Sequence, residues 1–170
     1  LHEYRYLSVG GFIMVGKIRG QQIKDDSITG VDIDESTLVL RHIYRAKYSY
    51  SADTQRVFIR WGANGSNLSP GVNNRFIMPA AGKLKKVLIR SDGTPGQTDI
   101  GLHKSSDGTE DISTTAVETQ AVDLSTANTV VTATFTDSAS FSANDIICLS
   151  VDPTSTHHNV DLTIILELSF

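Results

Sequence analysis

From residue 160 onward, apolar side chains fall on every second position: Val160, Leu162, Ile164, Leu166, Leu168 and Phe170. Successive side chains of an extended strand point to opposite faces, so this parity makes one continuous apolar row. Such a strand has to lie over a core, and its row predicts that Phe170 belongs to the fold. Seven further segments carry strand signals: 56–61, 75–78, 83–90, 99–103, 120–124, 130–135 and 145–151. Clusters rich in Gly, Pro, Asn and Ser separate them. Short strands at this spacing predict a sandwich or barrel, and about eight of them suit a jelly roll. No long amphipathic helix competes. The expected fold is all-β, a jelly-roll-like antiparallel β-sandwich head over residues 46–170.

The first quarter follows another rule. Reading every fifth residue from Ile13 gives Ile13, Ile18, Ile23, Ile28, Ile33, Leu38 and Ile43, all large aliphatics. A helix repeats its apolar positions at three and four residues and a strand at two, so a period of five fits neither. The residues between are turn-prone Asp, Ser and Gly. Residues 1–45 are therefore read as an extended N-terminal arm, whose regular bends each offer one aliphatic side chain. Ordering such a strip costs about 1–2 kcal/mol per residue. Each isoleucine returns about 1.5–3 kcal/mol only if it is fully buried. The strip gains its burial most simply from other copies, so the seven aliphatics are the expected assembly interface. A surface arm packed on its own domain is the competing reading. The first fifteen residues lack a secretory pattern, since two glycines break their apolar stretch.

At 170 residues, with 39% hydrophobic and 20% charged side chains, the chain suits one domain, or one domain with a short extension. No apolar run approaches the roughly 20 residues of a membrane-crossing helix. A net charge of −4 argues against a nucleic-acid partner. The single cysteine excludes a disulfide framework within the chain. Charge is segregated along the sequence. Residues 54–91 hold seven basic residues and no acidic one, whereas residues 92–170 hold twelve acidic residues and one basic, Lys104. Interleaved strands would pair these halves within one molecule. Complementary faces meeting between subunits are the alternative.

Signatures of chemistry are sparse. The sequence has no nucleophile elbow, phosphate loop or H-E-x-x-H zinc motif. No catalytic residue, cofactor or metal site is expected. His157 and His158 follow Pro153 in a stretch read as a solvated loop, where neighbouring side chains point apart. Cys148, between Ile147 and Leu149, reads as a small buried hydrophobe. Residues 107–111 read as a carboxylate-rich turn without a calcium loop. The candidate recognition loop is 61–68, where Trp61 could stack on a ligand while Asn64 and Asn67 hydrogen-bond it. Burial of Trp61 in the core is the equal alternative.

The stretch Gly20-Gln21-Gln22-Ile23-Lys24-Asp25-Asp26-Ser27-Ile28-Thr29-Gly30-Val31-Asp32-Ile33 resembles the G-x-x-I-x-D-x-S-I-T-x-x-D-I segments of tailed-bacteriophage tail-fibre and other virion structural proteins. Residues 76–104, with Pro79-Ala80-Ala81-Gly82-Lys83-Leu84 and Ile100-Gly101-Leu102-His103-Lys104, are similar to C-terminal β domains of such proteins from tailed, often marine, phages. Phe141-Ser142-Ala143-Asn144-Asp145 and Val160-Asp161-Leu162-Thr163 continue the likeness, which covers most of residues 17–170. The resemblance implies a non-enzymatic virion protein assembled in the host cytoplasm. It implies a homotrimer in which a fibrous N-terminal piece carries a jelly-roll head. Partners would be further copies, other capsid or tail proteins, and a host surface glycan or protein, with no nucleic acid and no membrane. The fibrous part is short for a long tail fibre, which brings in a capsid decoration (cement) protein as the alternative. A carbohydrate-binding module is the alternative from another class.

Overall fold

The computed structural model describes residues 39–49, 54–71, 73–105 and 112–169. The expectations for Ile13, Ile18, Ile23, Ile28, Ile33, Leu38, residues 107–111 and Phe170 lie outside the described residues. Every regular element among the described residues is a strand: β1 (Val39–Tyr48), β2 (Val57–Ile59), β3 (Ser66–Asn67), β4 (Phe76–Ile77), β5 (Ala81–Ser91), β6 (Gly96–Ser105), β7 (Glu118–Leu124), β8 (Val130–Thr134), β9 (Ser140–Phe141), β10 (Ile146–Pro153) and β11 (Val160–Ser169). They form two antiparallel sheets. The first has the order β1-β11-β5-β8, with β9 also on β5. The second has the order β3-β2-β10-β6-β7, with β4 also on β10. The two sheets enclose one core, as expected of a β-sandwich.

The terminal apolar row organises the first sheet. Val160, Leu162, Ile164, Leu166 and Leu168 are all buried and lie opposite Ser91, Ile89, Val87, Leu84 and Gly82 of β5. From the second sheet, Ile100, Leu102, Ile147 and Leu149 close the core over them. The opposite parity of β11, namely Asp161, Thr163, Ile165, Glu167 and Ser169, faces outward. A register shift between Ile165 and Leu166 leaves Lys85 as an extra residue in β5. Such a bulge re-aims neighbouring side chains, and it places Lys85 beside Lys86 without disturbing Leu84 or Val87.

All eight expected strands are present, with ends moved by a few residues. The expected boundary between residues 45 and 46 falls inside β1. This strand pairs with β11 along its full length, from Val39 against Ser169 to Tyr48 against Val160. Leu40, His42, Tyr44, Ala46 and Tyr48 share the core-side parity, a period of two that the five-residue ladder obscures. A step of five is odd and changes face in a strand, so the ladder cannot continue through β1 as one stripe.

The second sheet carries a smaller apolar cluster on its outer side. Phe58, Ile146 and Cys148 meet Ile112 there, under the segment that leads into β7.

Candidate functional site

Cys148 of that smaller cluster has two further buried groups capable of chemistry beside it, His103 and Ser150. His103 lies directly opposite Cys148 in the β6–β10 ladder, next to the Ser150–Gly101 pair. The His103 Nδ1–H donates to the Ser113 carbonyl at 3.0 Å. Ser150 Oγ in turn donates to His103 Nε2 at 2.8 Å. A hydroxyl bonded to an imidazole that is held by a third group has the logic of an activated nucleophile. Here, however, Ser150 and His103 are both buried, and Gly101 leaves no pocket above them. A Cβ at Gly101 would stand 2.9 Å from Ser150 Oγ and 3.1 Å from Ala116 Cβ. Burial lowers the His103 pKa and pushes the Cys148 thiol up to about 12. The thiol therefore stays protonated and packs as a hydrophobe, as expected. Arg56 joins the clasp by donating to the Thr114 carbonyl at 3.1 Å. The arrangement ties residues 113–114 to the sheet.

The histidine pair departs from expectation. His157 is buried, not solvated. Its Nδ1 accepts from the Tyr48 hydroxyl at 3.0 Å, and its Nε2–H donates to the Gln55 carbonyl at 2.6 Å. The physical reason is that the segment after Pro153 has buried backbone and phenol groups to satisfy, and an imidazole offers one acceptor and one donor. His158 points the other way, against Gly93, where a Cβ would collide with its ring. No group of three or more metal-ligating side chains occurs among the described residues.

The candidate recognition loop is drawn into the sheets. The Trp61 ring packs 5.5 Å from both the Tyr44 and Phe76 rings. Its Nε1 is buried with no hydrogen-bond partner among the described residues. Asn67 lies in β3 and accepts from Arg60 Nη2 at 3.3 Å. The backbone between them covers part of the β1 edge. Gly62 N–H donates to the Arg45 carbonyl at 3.1 Å, and Gly65 N–H donates to the Lys47 carbonyl at 2.8 Å. Asn64 remains exposed and lines a groove with Ile43, Arg45, Lys47, Asp161 and Thr163. The fold thus brings Ile43 and Asn64 together and turns Trp61 inward.

That groove opens onto the outward face of the first sheet. Strand registers align its residues in cross-strand rows: Arg41, Glu167 and Lys83; Ile43, Ile165, Lys86 and Thr134; Arg45, Thr163, Leu88 and Thr132; Lys47, Asp161, Arg90 and Val130. Ile43 is 66% exposed and Val130 is 59% exposed. Counting Lys85, seven cations meet three carboxylates, Asp161 and Glu167 on the sheet and Asp137 just after β8. Asp161 is shared by Lys47 at 3.9 Å and Arg90 at 3.5 Å. Glu167 is shared by Arg41 at 3.3 Å and Lys85 at 3.8 Å. Lys83 reaches Asp137 at 2.7 Å. Arg45 and Lys86 are exposed and have no ion-pair partner among the described residues. The expected pairing between the basic and acidic halves therefore occurs within the molecule, in Arg56–Asp152, Lys83–Asp137, Lys85–Glu167 and Arg90–Asp161. It leaves this face cationic.

Sequence reasoning missed three residues of this face: Arg45, Lys86 and Ile165. Ile165 carried a signal, being an aliphatic at the outward parity between Thr163 and Glu167. The His103–Ser150 contact had none, because it depends on the β6–β10 register. No protein-family model and no curated protein matches the chain.

Proposed function

We propose that this chain is a non-enzymatic structural protein of a tailed-phage virion, a homotrimeric appendage component that docks through its N-terminal arm and carries a jelly-roll head. The observation that carries the reading is Ile43. It is the one ladder aliphatic among the described residues, and it projects from the outward sheet face at 66% exposure instead of packing on its own sandwich. Ile43 stands opposite the outward-facing Ile165, and adjacent aliphatics on a β surface suit a chain that meets a neighbour there. The jelly-roll form is supported by the strand order. Strands 1, 11, 5 and 8 lie in one sheet and strands 2, 10, 6 and 7 in the other, so consecutive long strands repeatedly change sheets. The virion assignment is supported by the resemblance of residues 20–33 and 76–104 to phage structural proteins.

A capsid decoration protein is the second reading, favoured by the breadth of the cationic outer face, which suits capping a protein lattice. Labelling this chain in imaged particles distinguishes shell from tail. The carbohydrate-binding reading loses its main support, because the Trp61 ring is packed against Tyr44 and Phe76.

The test of assembly through the arm is the double substitution Ile23→Asp with Ile28→Asp, with mass read by light scattering. We expect the wild type at a multiple of 18.5 kDa and the variant at 18.5 kDa. An assembled variant of unaltered mass overturns the arm as the interface.

A further inference from the structure

We propose that the outward face of the β1-β11-β5-β8 sheet is the seat for residues 25–37 of a second copy of this chain. The inference rests on the self-association reading above and names the surface that receives the arm. Its first support is charge. The face presents seven cations against three carboxylates: Asp137 pairs with Lys83, while Asp161 and Glu167 are each shared between two cations. Residues 25–37 carry Asp25, Asp26, Asp32, Asp34 and Glu35 with no basic residue. No stretch of the chain matches the face better in sign. Juxtaposed potentials of opposite sign set both register and partner choice. Arg45 and Lys86, the two exposed cations of this face with no ion pair among the described residues, are the groups that an incoming carboxylate would meet.

The second support is apolar content. Between its acids the segment carries Ile28, Val31 and Ile33. The face offers Ile43, Ile165, Leu88 and Val130 between its cations. Each aliphatic set is too small to form a core, and each lies among charges of the sign opposite to the other. Length is sufficient: thirteen residues can span up to about 43 Å when extended. Four strands spaced about 4.8 Å apart make a face far narrower than that.

The test is light scattering on three full-length proteins: wild type, R45E/K86E, and R45E/K86E combined with D32K/D34K. The substituted side chains on the sheet are exposed, and matching circular dichroism verifies the fold. We expect the wild type to be assembled and to dissociate as salt is raised. The R45E/K86E protein is expected at 18.5 kDa, and the combined variant should regain assembled mass through the reversed charges. An assembled wild type with R45E/K86E also assembled overturns the seat alone. Loss of mass in R45E/K86E that the segment reversal does not restore overturns the segment as occupant. A monomeric wild type overturns the self-association reading, and this inference with it.

Discussion

Both ring nitrogens of each buried histidine, His103 and His157, have a hydrogen-bond partner. His103 shows the consequence most clearly. Its neutral ring donates to the Ser113 carbonyl and accepts from Ser150, and burial disfavours its protonation. The unfolded chain takes up a proton near the ordinary histidine pKa of about 6.5, while the folded chain resists. A depressed folded pKa supplies stability that is present above the unfolded value and lost as pH falls below it. Denaturant unfolding should therefore show stability falling below about pH 6.5, by up to about 1.4 kcal/mol per pH unit for this one site. The His103→Gln variant should show a flatter slope over that range. An unchanged slope would mean that other groups carry the acid sensitivity.

At the scale of the strand, β11 and β5 decide the architecture, and their contact is tight at Gly82. A Cβ there would stand 2.2 Å from the Glu167 carbonyl oxygen and 3.0 Å from the Phe141 ring. Backbone cannot step aside as a flexible side chain can. Gly82→Ala should thus cost about 3 kcal/mol, the upper end of overpacking, read as a shift of the denaturation midpoint. The same pair shows what was legible from sequence. The parity of Val160, Leu162, Ile164, Leu166 and Leu168 gives away both the strand and its buried face, because period two has no helical counterpart. Breakers at Pro79, Gly93, Pro95 and Pro153 mark the neighbouring strands equally well. β1 was hidden because Ile43 completes a five-residue count that runs across the strand's own alternation. β3 and β9, with two residues each, are too short to show any period. The outer-face rows depend on register, which comes from pairing distant strands and leaves no local trace.

For the whole molecule, the sandwich satisfies its core yet leaves one face cationic and dotted with exposed aliphatics, in a chain whose net charge is −4. Ile43 is the point where these features meet. Ile43→Asp should leave unfolding stability within about 0.5 kcal/mol, as for an exposed position away from special contacts. In the assembled protein the same change should weaken association, because it places a carboxylate where an aliphatic is to be covered. A stability loss of several kcal/mol in the isolated subunit would instead mean that Ile43 is covered by its own chain. On the proposed reading the molecule is a building block, and the mass of the free protein tests that most directly. Sedimentation equilibrium of the full-length wild-type chain, over about a hundred-fold range of concentration, should fit three times 18.5 kDa, with smaller species appearing on dilution. A mass of 18.5 kDa at every concentration would contradict it.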